Sequence, residues 1–199
     1  EIDLTQIESR FSSIGSTANI SISKFRAQID LIRIDIAQAF QQDPLILDLD
    51  GNGIDITSLQ DGRQFDIDGD GNIDQTAWIR GNDALLALDR NKDGKINNGT
   101  ELFGDQNGAA DGFAELAKFD DNQDGKIDAN DVVFSALILL RANGEQATLM
   151  DEGITSISLS MITPIDQRLI GGDLVATSHF TRDDGSIATV GEVLFDVKA

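Results

Sequence analysis

The apolar residues of positions 1–42 recur at helical spacing in two stripes. The first stripe stops near Gly15, a residue suited to end a helix, and the second has charged residues on its outer side. The apolar positions are Leu4, Ile7, Phe11 and Ile14, followed by Phe25, Ile29, Ile32, Ile36 and Phe40. We therefore predict an N-terminal helical hairpin. The same pattern is also expected if these residues are simply the end of a preceding domain.

From Pro44 onward the apolar residues recur at every second position, which is typical of a β-strand. The alternating apolar positions are Leu45, Leu47 and Leu49. Phe65, Ile67 and residues 77–79 indicate further strands around an acidic loop. This part of the chain is therefore expected to be mainly extended.

Helical patterns return between about residue 82 and residue 143. Asn and Asp residues stand where they can cap helices, and a glycine stands where the last helix can end. The three predicted helices cover residues 82–88, 113–119 and 130–144. Because acidic loops separate them, we predict an EF-hand-like pair of helix–loop–helix units in this region.

The last fifty residues have the pattern of strands. Predicted strands cover residues 154–159, 169–180 and 187–197, and "RDDGS" at 182–186 is a hairpin turn, because Asp-Gly tolerates positive φ. The predicted fold class is α+β, with the EF-hand-like pair combined with an antiparallel β-sheet or small β-sandwich and preceded by the helical hairpin. We place the domain boundary between a helical segment, 1–43, and a module, 44–199, whose C-terminal β region covers about 154–197.

The charge balance favours cations as partners. Lys and Arg number 15 and Asp and Glu number 35, so the formal net charge is -20, which disfavours nucleic acid and anionic membranes. No Cys is present, which excludes disulfides and thiolate chemistry. No apolar run of about 18 residues could span a bilayer. The first 20 residues lack the pattern of a secretory signal peptide.

Two acidic loops have the residue order of an EF-hand calcium loop. Such a loop supplies oxygens from positions 1, 3, 5, 7, 9 and 12, position 7 through its backbone carbonyl, and turns at a glycine at position 6. In "DDNQDGKIDAND", residues 120–131, the predicted ligands are Asp120, Asn122, Asp124, Lys126 through its carbonyl, and Asp131. In "DRNKDGKINNGTE", residues 89–101, they are Asp89, Asn91, Asp93, Lys95 through its carbonyl, and Glu101. The acid of the second set comes one position late, so we expect an expanded loop closed by Glu101.

Two further loops are less regular, because neither has an acid at position 12. The candidate ligands in "DIDGDGNID" are Asp66, Asp68 and Asp70, and those in "DLDGNGID" are Asp48, Asp50 and Asn52. These loops either bind calcium with an acid from elsewhere in the chain, or they are Asx-type turns with a solvated acidic rim.

The Asp43–Pro44 bond has a reactivity of its own. The Asp43 carboxyl can attack its own backbone carbonyl and form a five-membered cyclic anhydride, and the proline nitrogen leaves readily once it is protonated. A folded site can promote this reaction by holding the carboxyl in near-attack geometry. A helix that ends at Asp43 before a strand that begins at Pro44 is a sufficient structural reason for the same dipeptide.

The combination of "DPLILDLDGNGI", "FDIDGDG", "DRNKDGKINNGTELFGD" and "FDDNQDGKID" resembles the calcium-dependent, FrpC-like self-processing module of bacterial RTX-type proteins. The resemblance runs from Asp43 to at least Asp131 and more loosely through the C-terminal strands. It implies that folding in calcium triggers autocatalytic cleavage between Asp43 and Pro44. It also implies that the anhydride of Asp43 can be captured by a lysine amine as an isopeptide bond.

We therefore expect a calcium-activated module that cleaves itself once, rather than a turnover protease. Its partners would be calcium ions and a lysine amine, either of this chain or of a neighbouring protein, and we expect a monomer without a membrane span. It would act at the cell surface or after secretion of the bacterial parent protein by a signal-peptide-independent route. Two alternatives stay open: a structural calcium-binding module of a secreted RTX adhesin or toxin, and a calcium-dependent hydrolase of another molecule.

Overall fold

A computed structural model of the chain describes residues 42–198. The helical hairpin predicted from residues 1–42 falls outside this range, apart from Gln42. That residue forms an isolated antiparallel bridge with Phe195. The described residues thus comprise the module that begins at Pro44 and the two residues that precede it.

Strands make up most of the regular structure. The strands are β1 (Leu45–Leu47), β2 (Arg63–Phe65), β3 (Asp74–Thr76), β4 (Ala84–Leu88), β5 (Lys126–Asp128), β6 (Leu137–Arg141), β7 (Gln146–Thr148), β8 (Ile154–Ser158), β9 (Thr163–Leu169), β10 (Gly172–Arg182), β11 (Ile187–Phe195) and β12 (Val197–Lys198). One short α-helix in the described range, α1, covers Gly112–Leu116. Four 3₁₀ turns cover Gly99–Glu101, Asp105–Asn107, Ala117–Phe119 and Phe134–Ala136.

Nine of these strands form one curled sheet in which neighbouring strands are antiparallel. The order is β5-β8-β10-β11-β1-β4-β6-β7, and β9 pairs with the first part of β10. A small second sheet has the order β12-β3-β2. The strand that follows Pro44, β1, therefore lies in the middle of the large sheet, between β11 and β4.

The central strands of the large sheet are buried on both faces. On β1, Leu45 and Leu47 pack into one hydrophobic cluster and Ile46 into another. The same alternation continues on β4 through Ala84, Leu85, Leu86 and Ala87. Burial of each large aliphatic side chain contributes about 1.5–3 kcal/mol, so this region is the stable centre of the module.

The predicted EF-hand-like helix pair, and with it the α+β fold class, is wrong. The first predicted helix is β4, and the third is a 3₁₀ turn followed by β6. The middle one is helical, as α1 and the 3₁₀ turn after it. A strand buried on both faces carries consecutive apolar residues, such as "ALLAL" in β4, and periodicity cannot distinguish such a run from a buried helix. The fold is predominantly antiparallel β.

The strands predicted for the last fifty residues are present as β8, β10 and β11, with β9 in addition. The predicted hairpin turn is also confirmed. Arg182 donates its N–H to Ser186 O at 2.9 Å, and Gly185 has a φ of +80°. Over much of their length these strands have one apolar face, so apolar and polar residues alternate and the sequence indicates a strand.

Candidate metal loops and the Asp43–Pro44 site

The loops 89–101 and 120–131 share one backbone conformation. In each, the first Asp accepts hydrogen bonds from the N–H groups four and five residues later. These bonds are Asp93 to Asp89 (3.2 Å), Gly94 to Asp89 (2.8 Å), Asp124 to Asp120 (3.2 Å) and Gly125 to Asp120 (2.9 Å). Gly94 and Gly125 both have a φ of +82°, which favours glycine. Both loops therefore turn at the glycine that the sequence register predicts, although neither has an α-helix on both sides as in an EF-hand.

The predicted ligands at positions 3, 5 and 7 follow the same turn in both loops. Each position-3 Asn accepts from the N–H of position 5, and each position-5 Asp accepts from the N–H of position 7. The bonds are Asp93 to Asn91 (2.8 Å), Lys95 to Asp93 (2.9 Å), Asp124 to Asn122 (3.1 Å) and Lys126 to Asp124 (3.2 Å). The Lys126 ammonium pairs with Asp128 and, at 3.6 Å, with Asp124.

The last acids of the two loops differ in what surrounds their oxygens. Asp131 accepts the N–H of Asp121 and the N–H of Asp128, both at 2.8 Å, so each oxygen has a donor. Glu101 is 2% exposed and accepts the N–H of Asn97 on Oε2 at 2.7 Å. Its buried Oε1 has no hydrogen-bond partner in the described part of the chain. A buried carboxylate oxygen without a donor is costly, and a cation would remove that cost.

The loop after β1 contributes to a cluster that includes an acid from elsewhere. Carboxylate oxygens of Asp48, Asp50 and Asp83 lie within 4.8 Å of one another. Asp48 accepts the N–H groups of Gly51 at 2.8 Å and Gly53 at 2.9 Å. Burial, together with the charges of the neighbouring acids, raises the pKa of Asp83 to about 7, against the N–H that it accepts from Asp55. The predicted ligand Asn52 is exposed.

The second irregular loop forms a similar cluster from Asp66, Asp68 and Asp74. Asp66 Oδ1 and Asp74 Oδ2 are buried without a hydrogen-bond partner among the described residues. Burial and then the charge of Asp68 raise the pKa of Asp74. The predicted ligand Asp70 lies outside the cluster, where hydrogen bonds from Asn72 lower the pKa of its carboxyl.

The Asp43–Pro44 bond is buried between β11 and the segment that follows the loop 89–101. Backbone hydrogen bonds hold both sides of the bond, and Asp43 itself is 6% exposed. These bonds are Phe195 N–H to Gln42 O (2.8 Å), Val193 N–H to Pro44 O (3.2 Å) and Leu45 N–H to Phe103 O (3.2 Å). The Asp43 carboxylate accepts the N–H of Asp105 on Oδ1 at 2.8 Å. The backbone and side chain of the reacting residue are therefore both fixed.

Two glycines let the chain approach Asp43 closely. A Cβ on Gly104 would lie 2.7 Å from Asp43 Oδ1, and a Cβ on Gly112 would lie 3.1 Å from Asp43 O and 2.8 Å from Phe103 O. Both glycines have ordinary backbone conformations, so the requirement is one of space. A larger residue at either position would displace the scissile bond.

A second buried acid, Glu192, lies against Asp43. Glu192 is 4% exposed, accepts the N–H of Gly112 on Oε1 at 2.9 Å, and shares a hydrogen bond with the Asp43 carboxyl. Burial, and to a lesser extent the charges of Asp111 and Asp43, raises the pKa of Glu192 to about 8. Burial likewise raises the pKa of Asp43 to about 6, opposed by the N–H of Asp105. The pair therefore holds one proton near neutral pH.

One side chain connects the loop 89–101 to the scissile site. Arg90 donates to Glu115 Oε1 at 2.5 Å and to the carbonyl of Thr100 at 2.7 Å. The other oxygen of Glu115 accepts the N–H of Gly104 at 2.8 Å, one residue before the N–H that holds Asp43. Arg90 thus reaches from position 2 of a predicted metal loop to the segment that positions the Asp43 carboxylate.

Sequence patterns alone did not indicate Asp83 or Glu192 as site residues, whereas Asp74 is the last acid of the loop "DIDGDGNID" that the sequence singles out. Glu192 could have been noticed as a single charged residue in the apolar run "ATVGEVLF", because a buried polar residue is more informative than an exposed one. Asp83 is interpreted from the sequence as a helix cap, because an acid before a buried strand has the same sequence pattern as a cap before a helix. Their partners are distant in sequence and become neighbours only through sheet pairing.

In the part of the chain that the structure describes, no helix is long and apolar enough to cross a membrane.

Comparison with known proteins places the module in a family. The SPM domain family matches residues 45–196, which is most of the described range. The iron-regulated protein FrpA of Neisseria meningitidis serogroup C is 37% identical over 169 residues. That match covers 76% of this chain but 15% of the relative, so the chain corresponds to a small part of a much longer protein. The chain belongs to the SPM domain family.

Proposed function

We propose that the chain is a calcium-dependent self-processing module that breaks its own Asp43–Pro44 bond through an aspartic anhydride. The observation that carries the proposal is the buried Asp43 carboxylate, held by the N–H of Asp105 beside a second acid and within a fixed backbone. The resemblance to the FrpC-like module and the membership in the SPM domain family support it.

The surroundings of Asp43 suit an intramolecular reaction. The side chain and the carbonyl that it would attack belong to one residue, so only their relative orientation has to be held. Orientation of this kind can contribute about 7–11 kcal/mol to lowering a barrier. Burial of Asp43 and Pro44 also excludes water from the forming anhydride.

Calcium is the cation that we propose for the acidic loops. Carboxylate, amide and carbonyl oxygens are hard ligands, and irregular sets of them suit calcium better than the octahedral magnesium site. The residues that would hold it are the predicted ligands of the loops 89–101 and 120–131, with the two clusters completed by Asp83 and Asp74. The unpartnered oxygens of Asp66, Asp74 and Glu101 favour this assignment. When bound, calcium supplies positive charge that neutralises these acids.

Calcium would act on cleavage through folding. A chain with a net charge of -20 repels itself until cations neutralise its loops. Two connections then transmit order to the scissile bond. The strand β1 leads from Pro44 directly to Asp48, and Arg90 links the loop 89–101 through Glu115 to Gly104.

The proposed setting is the outside of a bacterial cell. Extracellular calcium sites bind with dissociation constants of about 10⁻⁴–10⁻³ M, which cytosolic calcium would not fill. Cleavage would then wait until secretion of the parent protein by a signal-peptide-independent route. The anhydride of Asp43 would react there with water or with a lysine amine of a neighbouring protein.

Mass spectrometry of the purified chain tests the proposal. In excess calcium we expect a fragment that begins Pro44-Leu45-Ile46-Leu47, and in chelator we expect intact chain. Asp43→Ala is expected to fold in calcium and never to cleave, because the internal nucleophile is gone. A folded wild-type chain that stays intact in calcium would contradict self-processing and leave a structural calcium-binding module.

An amine in excess tests the anhydride. We expect part of the N-terminal fragment to be joined to the amine and to weigh one water less than the sum of the two. Hydrolysis products alone, at every amine concentration, would contradict a free anhydride.

A further inference from the structure

Glu192 lies beside the scissile bond because of sheet register. It stands on β11 opposite Leu45, the second residue after Asp43, and its neighbour Val193 donates its N–H to Pro44 O at 3.2 Å. The Glu192 side chain turns toward the N-terminus of α1, where Gly112 donates its N–H to Oε1 at 2.9 Å. Its carboxyl group is thereby held within hydrogen-bond distance of the Asp43 carboxyl.

The charged groups around this carboxyl pair are mainly acids. The charge of Asp105 acts on Asp43, and that of Asp111, the residue before α1, acts on Glu192. Arg90 forms its ion pair with Glu115 of α1. Two acids that share a buried hydrogen bond next to further acids hold a proton between them.

We propose that Glu192, as a neutral carboxylic acid, is the general acid that protonates the Pro44 nitrogen when the Asp43–Pro44 bond breaks. This inference rests on the proposed function, because it assigns a role within the same reaction. An amide nitrogen is a poor leaving group until it is protonated, and a buried site with little water needs a side chain to provide that proton.

The reaction balances with these two residues and one water. A carboxylate oxygen of Asp43 forms a bond to the Asp43 carbonyl carbon, and the carbonyl oxygen takes up the negative charge. The carbonyl is then restored while the C–N bond to Pro44 breaks, and the proton of Glu192 passes to the nitrogen. The products are a cyclic anhydride at Asp43, a free secondary amine at Pro44 and a Glu192 carboxylate. Water opens the anhydride to a C-terminal aspartate.

The test compares Glu192→Gln with Glu115→Gln in saturating calcium. Both changes replace a buried carboxyl that accepts a backbone N–H by an amide that can accept the same bond. Only Glu192 touches the Asp43 carboxyl. Cleavage rates are measured from about pH 5 to pH 9.5 on samples whose folding is verified by the fluorescence of Trp78, the one tryptophan of the chain.

We expect the wild-type rate to rise as Asp43 ionises near pH 6 and to fall as Glu192 ionises near pH 8. Glu192→Gln should lower the maximum about 10²–10⁴-fold and remove the alkaline decline, because no titrating acid is left. Glu115→Gln should keep both the rise near pH 6 and the decline near pH 8 in the cleavage rate, whatever its effect on the maximum rate. If Glu192→Gln does not fold, Glu192→Asp takes its place, with a reduced rate and the alkaline decline retained.

The outcomes separate this inference from the proposed function. A wild-type chain that does not cleave contradicts the function itself. A wild-type chain that cleaves, with a Glu192→Gln variant of the same rate or the same alkaline decline, overturns the role of Glu192 alone. A Glu192→Gln variant that is slow but keeps the wild-type pH profile assigns Glu192 a merely structural role and also overturns the inference.

Discussion

Two regions of this module bury carboxyl groups, and they do so under opposite conditions. At the scissile site, Asp43 and Glu192 accept backbone N–H groups and share one proton. In the acidic loops, buried oxygens of Asp66, Asp74 and Glu101 have no donor among the described residues. The first pair is stable because it is partly neutral and hydrogen-bonded, whereas the second set is unstable without a cation.

The difference suggests that separate groups of acids in this chain control folding and bond cleavage. Under the proposed function, the loops would need an external charge before they close, so they would respond to calcium. Burial raises the pKa of both Asp43 and Glu192, so under the proposed function the scissile pair would supply its own proton and its reaction would depend on pH. Besides strand β1, Arg90 connects the two regions through its ion pair with Glu115.

The two regular loops, 89–101 and 120–131, differ in the side chain at position 2 and in what it contacts. Arg90 extends out of its loop to Glu115. Asp121, at the equivalent position, accepts the N–H of Val132 at 2.9 Å and closes its own loop. The loop 120–131 is instead attached to the sheet, where the Gly125 carbonyl accepts the N–H of Leu159 at 2.8 Å. We infer that the loop 89–101 governs the scissile site and that the loop 120–131 stabilises the sheet edge.

The largest expected effect is that of calcium removal. In the non-cleaving Asp43→Ala chain, chelator should abolish most tertiary structure, because the loop carboxylates then repel one another without a cation. Trp78, which is 3% exposed and packs against Phe65, reports this as a red shift of its fluorescence. Identical spectra in chelator and in calcium would show that the buried loop acids are tolerated without metal.

Arg90→Met should slow cleavage by about 10²-fold in saturating calcium, because a small displacement of a reacting group can cost this much. The change leaves Glu115 buried and unpaired and loosens the Gly104–Asp105 segment. Asp121→Asn is the matched control, since its amide oxygen still accepts from Val132, and it should cleave at nearly the wild-type rate. Equal rates for both variants would contradict the distinction between the loops.

Glu101→Gln should mainly lower calcium affinity, whereas Asp131→Asn should mainly lower the stability of the fold. Glu101→Gln removes a charged oxygen without a donor, so we expect calcium affinity to fall about 10–100-fold. Asp131→Asn removes an acceptor from one of two backbone N–H groups and should lower the free energy of unfolding by about 1–3 kcal/mol. Calcium titration and urea unfolding in calcium distinguish the two; the reverse pattern would assign Asp131 the greater part in metal binding.

The smallest effect is the pH dependence of stability from Glu192. Its pKa is raised from 4.5 to about 8 on folding, so the folded chain binds more protons than the unfolded chain between these values. Stability from this group is therefore present at low pH and is lost as pH rises to about 8. Around neutral pH, Asp43→Ala should lose stability with rising pH faster than Asp43→Ala with Glu192→Gln. The difference should be at most about 1.4 kcal/mol per pH unit, because removal of Asp43 takes away part of what raises the pKa of Glu192. Equal slopes in urea unfolding would show that Glu192 ionises freely in the folded state.

Local features were predicted well because local contacts produce them. The turn at Gly94 and Gly125 depends on bonds between residues two to five positions apart, and the Asp-Gly hairpin at 182–186 depends on its own φ angles. Helix and strand could not be distinguished in β4 or β6, because consecutive apolar residues satisfy either structure when both faces are buried.

The sequence by itself determined the order of ligands in each loop, the acidity that calls for cations and the reactive Asp43–Pro44 bond. Tertiary structure decided which acids meet. Glu192 lies 149 residues after Asp43 and reaches it because β11 pairs with β1, and Asp83 joins Asp48 because β4 pairs with the other edge of β1. Pairing of this kind depends on burial of two sheet faces at once, and that is a property of the whole fold rather than of any segment.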